Sequence, residues 1–125
     1  MRSEWAELCD AEDIDVDGTG VTVMFHDGRS HRVTVTDTSE EYRLNAVVAR
    51  PATITHLGRD LPVDVWQRNR AVALVGFRQD ARGRLICEAH VPKASLAAPE
   101  FQFYLRAIAI EADRFEYALT GRDVE

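Results

Sequence analysis

Apolar and polar positions alternate along this chain with two different periods, and the longest regular pattern lies near its carboxyl end. Within residues 97–120, Phe101, Leu105, Ile108, Ala112, Phe115 and Leu119 recur at alternating gaps of four and three. That spacing lays them along one stripe of an α-helix. A second apolar set, Phe103, Ala107, Ile110 and Tyr117, falls roughly opposite, because two helical steps turn a side chain by about 200°. A helix that is apolar on two sides needs two surfaces to bury against. The pattern therefore predicts that one stripe covers a sheet of the same chain and the other meets a partner chain. Pro99 and Glu100 suit the first turn of this helix, Gly121 suits its C-terminal cap, and residues 122–125 read as a frayed tail.

Upstream the period falls to two. Residues 21–26 and 31–36 alternate as strands do, with Asp27-Gly28 marking a hairpin between them. A two-residue loop would set Val23 opposite Arg32. A three-residue loop, Asp27 to Arg29, sets Val23 opposite Val33 and Val21 opposite Val35, and matched faces favour that register. Residues 41–50 give a third strand with Tyr42, Leu44, Ala46 and Val48 on one face, ended by Pro51. Residues 52–60 read as a connection with weak strand character at 53–55. Asp60-Leu61-Pro62 opens a helix that runs to about Val72, with Leu61, Val65 and Asn69 aligned on its inner side. The Asn69 amide is expected to tie down a neighbouring loop or strand end, since a buried amide without a partner costs ~1–3 kcal/mol. Residues 73–79 and 84–91 form two further strands joined by the Asp80-Ala81-Arg82-Gly83 turn, with Gly76 leaving room for something bulky. A short N-terminal helix over residues 3–9, capped by Ser3, docks through Trp5 and Leu8. The order α-βββ-α-ββ-α predicts a single α+β domain, residues 1–125, in which helices pack on one side of an antiparallel sheet.

Charge narrows the partners. A formal net charge of −6 opposes general nucleic-acid binding and adhesion to anionic membranes. No apolar run approaches a membrane span, and the N-terminus has no signal-peptide core. Cys9 and Cys87 match no metal or redox spacing, so a cytoplasmic protein with two reduced thiols is expected. The acidic run Glu4, Glu7, Asp10, Glu12, Asp13, Asp15 and Asp17 reads as a solvated edge, with a docking surface for a basic partner as the alternative. A calcium loop fails because Met24 stands where a bidentate glutamate belongs. Arg68, Arg70, Arg78, Arg82 and Arg84 form a loose basic group, read as a solvated rim or else a contact for an anionic partner.

Candidate chemistry is sparse. Cys87 and His90 are three apart on a strand and point to opposite faces, so they make neither a metal site nor a nucleophile–base pair. His26 and His31 are likewise separated by the expected hairpin register. No catalytic, metal or cofactor site is assigned. The residues expected at an interface are Trp66, Phe103, Tyr104 and Tyr117, because aromatic side chains concentrate in interface cores. Ala107 and Ile110 join them on the outer stripe, with Arg106 and Arg114 framing it.

The second half of the chain has a further pattern: Asn69 late in the middle helix, Gly76-Phe77 in the next strand, and the Asp80…Gly83-Arg84-Leu85 turn. Val91-Pro92 then ends a strand, followed by Leu96, Phe101 and Leu105. With these residues, the segment 61–112 resembles the YbjN family, relatives of the type III secretion chaperones. The resemblance implies an α+β fold that dimerises. In secretion chaperones, surface grooves hold a non-globular stretch of a client protein; the YbjN branch is associated with sensory transduction or stress regulation and offers no catalytic residues to carry over. The short acidic N-terminal helix departs from a typical secretion chaperone. The expectation is a homodimeric, non-enzymatic module that binds a segment of another protein. The rival readings are a small-molecule sensor or enzyme with a pocket near Asn69 and Gly76, and a structural subunit of a larger assembly.

Overall fold

In the computed structural model, which describes residues 4–58 and 60–121, the C-terminal run forms one helix, α3 (Ala98–Thr120). Its inner stripe is sealed along its whole length, from Phe101 through Leu105, Ile108 and Ala112 to Phe115 and Leu119. Gly121, at φ 72°, takes the left-handed position that closes the helix and donates its N–H to the Tyr117 carbonyl at 2.8 Å.

The surface that α3 covers is a six-stranded antiparallel sheet with the helices on one side. Its strands are β1 (Ile14–Val16), β2 (Gly20–Met24), β3 (Ser30–Asp37), β4 (Glu41–Ala49), β5 (Gly76–Gln79) and β6 (Leu85–Pro92), in the spatial order β1-β2-β3-β4-β6-β5. The longest ladder joins β4 to β6, from Glu41 opposite Pro92 to Ala49 opposite Leu85, with a bulge between Val47 and Ala49. Every second residue faces inward, so Val21, Val33, Val35, Leu44, Ala46, Cys87 and Val91 meet α3 in one core. The other face of β3, β4 and β6 carries the polar side chains Arg32, Thr34, Arg43, Asn45, Glu88 and His90, none of them buried, together with buried Ile86.

The β2–β3 hairpin has the odd loop that matched faces require, but in a different register from the one expected. Val21 stands opposite Val33 and Val23 opposite His31, and the three loop residues are His26, Asp27 and Gly28. The reason is conformational. Such a loop ends on a left-handed residue, and Gly28 at φ 86° supplies it, whereas the expected loop would have placed Arg29 there. A slide of two residues preserves the faces, so His31 stays inward with Val33 and Val35 and now stands opposite Val23. Gly20 on the same hairpin lies so close to its neighbour that an added Cβ would strike the Val33 carbonyl oxygen. At Gly76, where a close approach was expected, an added Cβ would meet nothing.

Three elements differ from expectation. β1 is an additional strand inside the acidic run. Residues 51–57 form a helix, α1 (Pro51–Leu57), with Pro51 in its first turn and Gly58 at φ 62° closing it. β5 starts only at Gly76, after Leu74 has turned through a left-handed φ of 71°. The N-terminal helix is a 3-10 helix, Glu4–Cys9, buried through Trp5, Ala6 and Cys9, with Leu8 only partly covered. Its proposed cap Ser3, and the tail 122–125, lie outside the described residues.

The middle helix, α2 (Leu61–Ala71), begins as expected, with Asp60 accepting a hydrogen bond from the Val63 N–H. Asn69 is its anchor: the side-chain amide donates to the Phe77 carbonyl at 3.0 Å and its oxygen accepts from the Phe77 N–H at 2.8 Å. One amide thus holds α2 against β5 by two bonds. Asn69→Ala leaves both Phe77 groups without that partner at a half-buried site and should destabilise the protein by ~1–2 kcal/mol. Urea unfolding measures it, and a loss below ~0.5 kcal/mol would show that water replaces the amide without cost.

Candidate protein-interaction surface

The outer stripe of α3 is left uncovered by its own chain. Phe103 is 58% exposed, Ile110 36% and Tyr117 56%. Ala107 and Arg114 fill the gaps between them, so that residues 103, 107, 110, 114 and 117 form a single line about 21 Å long. Tyr104, beside the stripe, is half-buried and meets Phe103 edge-to-face at 6.4 Å. Arg114 stays exposed near Glu111. Trp66 lies on α2 rather than on this line; it is 59% exposed beside exposed Val63, and the Arg70 guanidinium stacks over its ring at 4.7 Å. The expected interface residues therefore fall into two surfaces, one on each helix.

Arg106 is turned to a different task. Its guanidinium donates to both oxygens of Asp13, at 2.7 and 2.8 Å, and binds the N-terminal segment to α3. Asp17 is held in the same manner by Arg32 and by the N–H groups of Thr19 and Gly20, which together keep its carboxyl far below the usual range. Part of the acidic run is thus spent on contacts within the chain. The basic group is dispersed as well: Arg68 lies over Phe115, Arg78 pairs with Glu88 and Arg84 with Asp80.

Cys87 points into the core, where burial pushes its thiol well up. His90 points outward to Glu41 at 2.7 Å. The polar group that suggested a ligand pocket, Asn69, is engaged by the Phe77 backbone.

Periodicity alone missed one polar cluster. His31, Asp113 and Glu116 are each at most 4% exposed, and one ligand-type atom from each lies within 4.8 Å of the others. His31 lies on the inward face of β3 with Val33 and Val35, and its Nε2 donates to the Val47 carbonyl at 2.8 Å. Asp113 and Glu116 are three apart on α3 and flank the inner stripe, in line with buried Ala109. Arg29 reaches Asp113 at 3.1 Å. A cavity of about 460 Å³ lined by Arg29, Asp113, Arg114 and Tyr117 opens beside the cluster. The visible signals were a histidine in phase with Val33 and Val35, and an Asp-x-x-Glu pair bordering an apolar stripe.

Solved structures with this architecture are known. This is the fold of type III secretion chaperones. A chain of the ExsC–ExsE complex superposes with a TM-score of 0.60 at 19% identity, covering 93% of this chain and 88% of that one. A chain of the ExoU–SpcU complex from the Pseudomonas aeruginosa type III secretion system gives 0.58 at 12% identity, covering 85% and 87%. The complex of the Yersinia pestis type III secretion chaperone SycH with a fragment of YscM2 gives 0.53 at 12% identity, covering 94% of each chain. No family model and no curated protein matches the sequence. At these identities the fold is shared while the surface residues are this chain's own.

The Asp13–Arg106 pair gives a test with a defined sign. The hydrogen bond from Arg106 is the main cause that holds the Asp13 carboxyl below its ordinary 3.8. A carboxyl depressed in the folded state stabilises it above the unfolded value and loses that contribution as pH falls through the folded one. Arg106→Gln should cost up to about 1 kcal/mol at neutral pH, since the pair is partly solvated, and nothing once Asp13 is protonated. Urea unfolding at neutral and acid pH checks this; a deficit that persists in acid assigns the loss to packing instead.

Proposed function

We propose that this protein is a non-enzymatic interaction module of the secretion-chaperone kind, homodimeric through the outer stripe of α3 and holding a segment of another protein. What carries the proposal is that stripe. Phe103, Ile110 and Tyr117 stand in water on a helix whose inner stripe already closes the core, and exposed apolar side chains with aromatics among them are what interface centres use. Ala107 lets a second helix approach closely, and a line of this kind can meet its own copy about a two-fold axis. The second apolar surface, Val63 and Trp66 on α2, is the one we assign to the client segment. Several solved relatives in fold are complexes with protein partners, one of them described as a chaperone–effector complex. The resemblance of residues 61–112 to the YbjN family favours a regulatory member of this fold. No helix among the described residues is long and apolar enough to cross a membrane, and with the net charge of −6 a cytoplasmic site of action fits the reading.

Light scattering should give twice the 14.1 kDa mass of one chain. Phe103→Asp and Ile110→Asp should each weaken self-association by about 2 kcal/mol or more, the loss typical of a central interface side chain, while circular dichroism stays unchanged. A wild-type protein that remains a monomer at high concentration overturns the dimer. A polypeptide that co-purifies with the wild type from its native host and is released by Trp66→Asp supports the client surface; equal retention by that variant overturns it.

A further inference from the structure

His31, Asp113 and Glu116 take no part in either apolar surface, and three ionisable side chains in one core are costly to bury. We propose that they form a binding site for a divalent transition-metal ion of the zinc class. One imidazole and two carboxylates are a ligand set that such ions accept, leaving a fourth position for water. Ligand atoms around a tetrahedral zinc ion stand about 3.3 Å apart, given bonds of roughly 2.0–2.1 Å. The three atoms here already lie within 4.8 Å of one another, so small side-chain rotations complete the set.

The surroundings support the same reading. A metal-binding histidine characteristically donates its second ring N–H to a carbonyl or carboxylate, which fixes its tautomer. The His31 Nε2 does so to Val47, at the place where the β3–β4 ladder, paired from Thr34 opposite Asn45 onward, has opened. The ligand atom left to His31 is Nδ1, which is fully buried and has no hydrogen-bond partner. Arg29 in turn orients Asp113 through Oδ2. The ligands stand on rigid elements, β3 and two positions one turn apart on α3. The cavity beside Asp113 supplies a route for the ion and room for its water.

The test uses the full chain after chelation and dialysis, titrated with Zn²⁺ by calorimetry and with Co²⁺ by visible absorption. The expected result is one equivalent bound, a rise in the thermal midpoint with Zn²⁺, and tetrahedral Co²⁺ bands without the near-ultraviolet transition of a cobalt–thiolate bond. Glu116→Gln and Asp113→Asn should each weaken Zn²⁺ binding at least 100-fold, beyond the 10–100-fold cost of losing an outer-shell partner, whereas Asp13→Asn should bind as the wild type does. Failure of the folded wild type to bind saturably, a thiolate transition, or equal binding by Asp13→Asn and a folded Glu116→Gln or Asp113→Asn overturns the site. A wild-type Co²⁺ spectrum without tetrahedral bands overturns the site even if both cluster variants fail to fold.

Discussion

Phe101, Leu105, Ile108, Ala112, Phe115 and Leu119 have to be kept from water along about 27 Å of helix, and among the described residues the sheet is the surface wide enough to do it. Aromatic pairs mark both ends of that contact: Tyr42 of β4 meets Phe101 at 5.3 Å, and Phe77 of β5 meets Phe115 at 4.8 Å. Between them α3 crosses β6, β4 and β3. Five large apolar side chains at ~1.5–3 kcal/mol each amount to roughly the whole net stability of a domain this size. The inner stripe therefore cannot be exchanged for the outer one. Once it is committed to the sheet, the orientation of the helix is fixed, and Phe103, Ile110 and Tyr117 are turned outward as a geometric consequence.

The same commitment organises the charges. Arg106 leaves α3 sideways to hold Asp13, and the Gln102 amide donates to the Leu8 carbonyl at 2.9 Å, so the N-terminal segment is fastened to the helix at two points. Across the sheet, Arg32 fixes the turn at Asp17. These contacts are partly solvated and individually weak, but together they set where the short first strand lies. His31, Asp113 and Glu116 are the exception, a polar group enclosed by the contact that excludes water everywhere else along α3.

How much of this was legible depended on length and on symmetry of the pattern. Both stripes of α3 could be read because a 3.6-residue period repeated over 23 residues admits no other element. The Asn69 anchor could be read because an amide on an inward face needs a partner. The hairpin register could not be read fully, since a slide of two residues leaves every face unchanged and only the backbone of Gly28 selects between the candidates. α1 buries no residue completely and so carries no amphipathic signal, and Pro51 serves equally well as the end of a strand or the start of a helix. β1 has three residues among aspartates, too few to show alternation. Asp113 and Glu116 resembled an ordinary solvated face, because their burial follows from the breadth of the covered side of α3 and not from their own chemistry. The partition of the expected interface residues between α3 and α2, and the pairing of Arg106 with Asp13, likewise depend on three-dimensional neighbours that no spacing encodes.

The pair of hydrogen bonds between Asn69 and Phe77 has a consequence at the margin of the sheet. Phe77 stands opposite Cys87 of β6, so the amide occupies the Phe77 N–H and carbonyl, which would otherwise point out from the last strand. The opposite margin is only three residues long and carries Asp15 at its centre, with Asp13 and Asp17 flanking it in pairs with Arg106 and Arg32. A sheet closed at one rim by a side chain and at the other by brevity and negative charge is a poor template for lateral growth. Fibril-like stacking and strand exchange are obstructed at both borders, and the helices are left as the ground on which another polypeptide can settle.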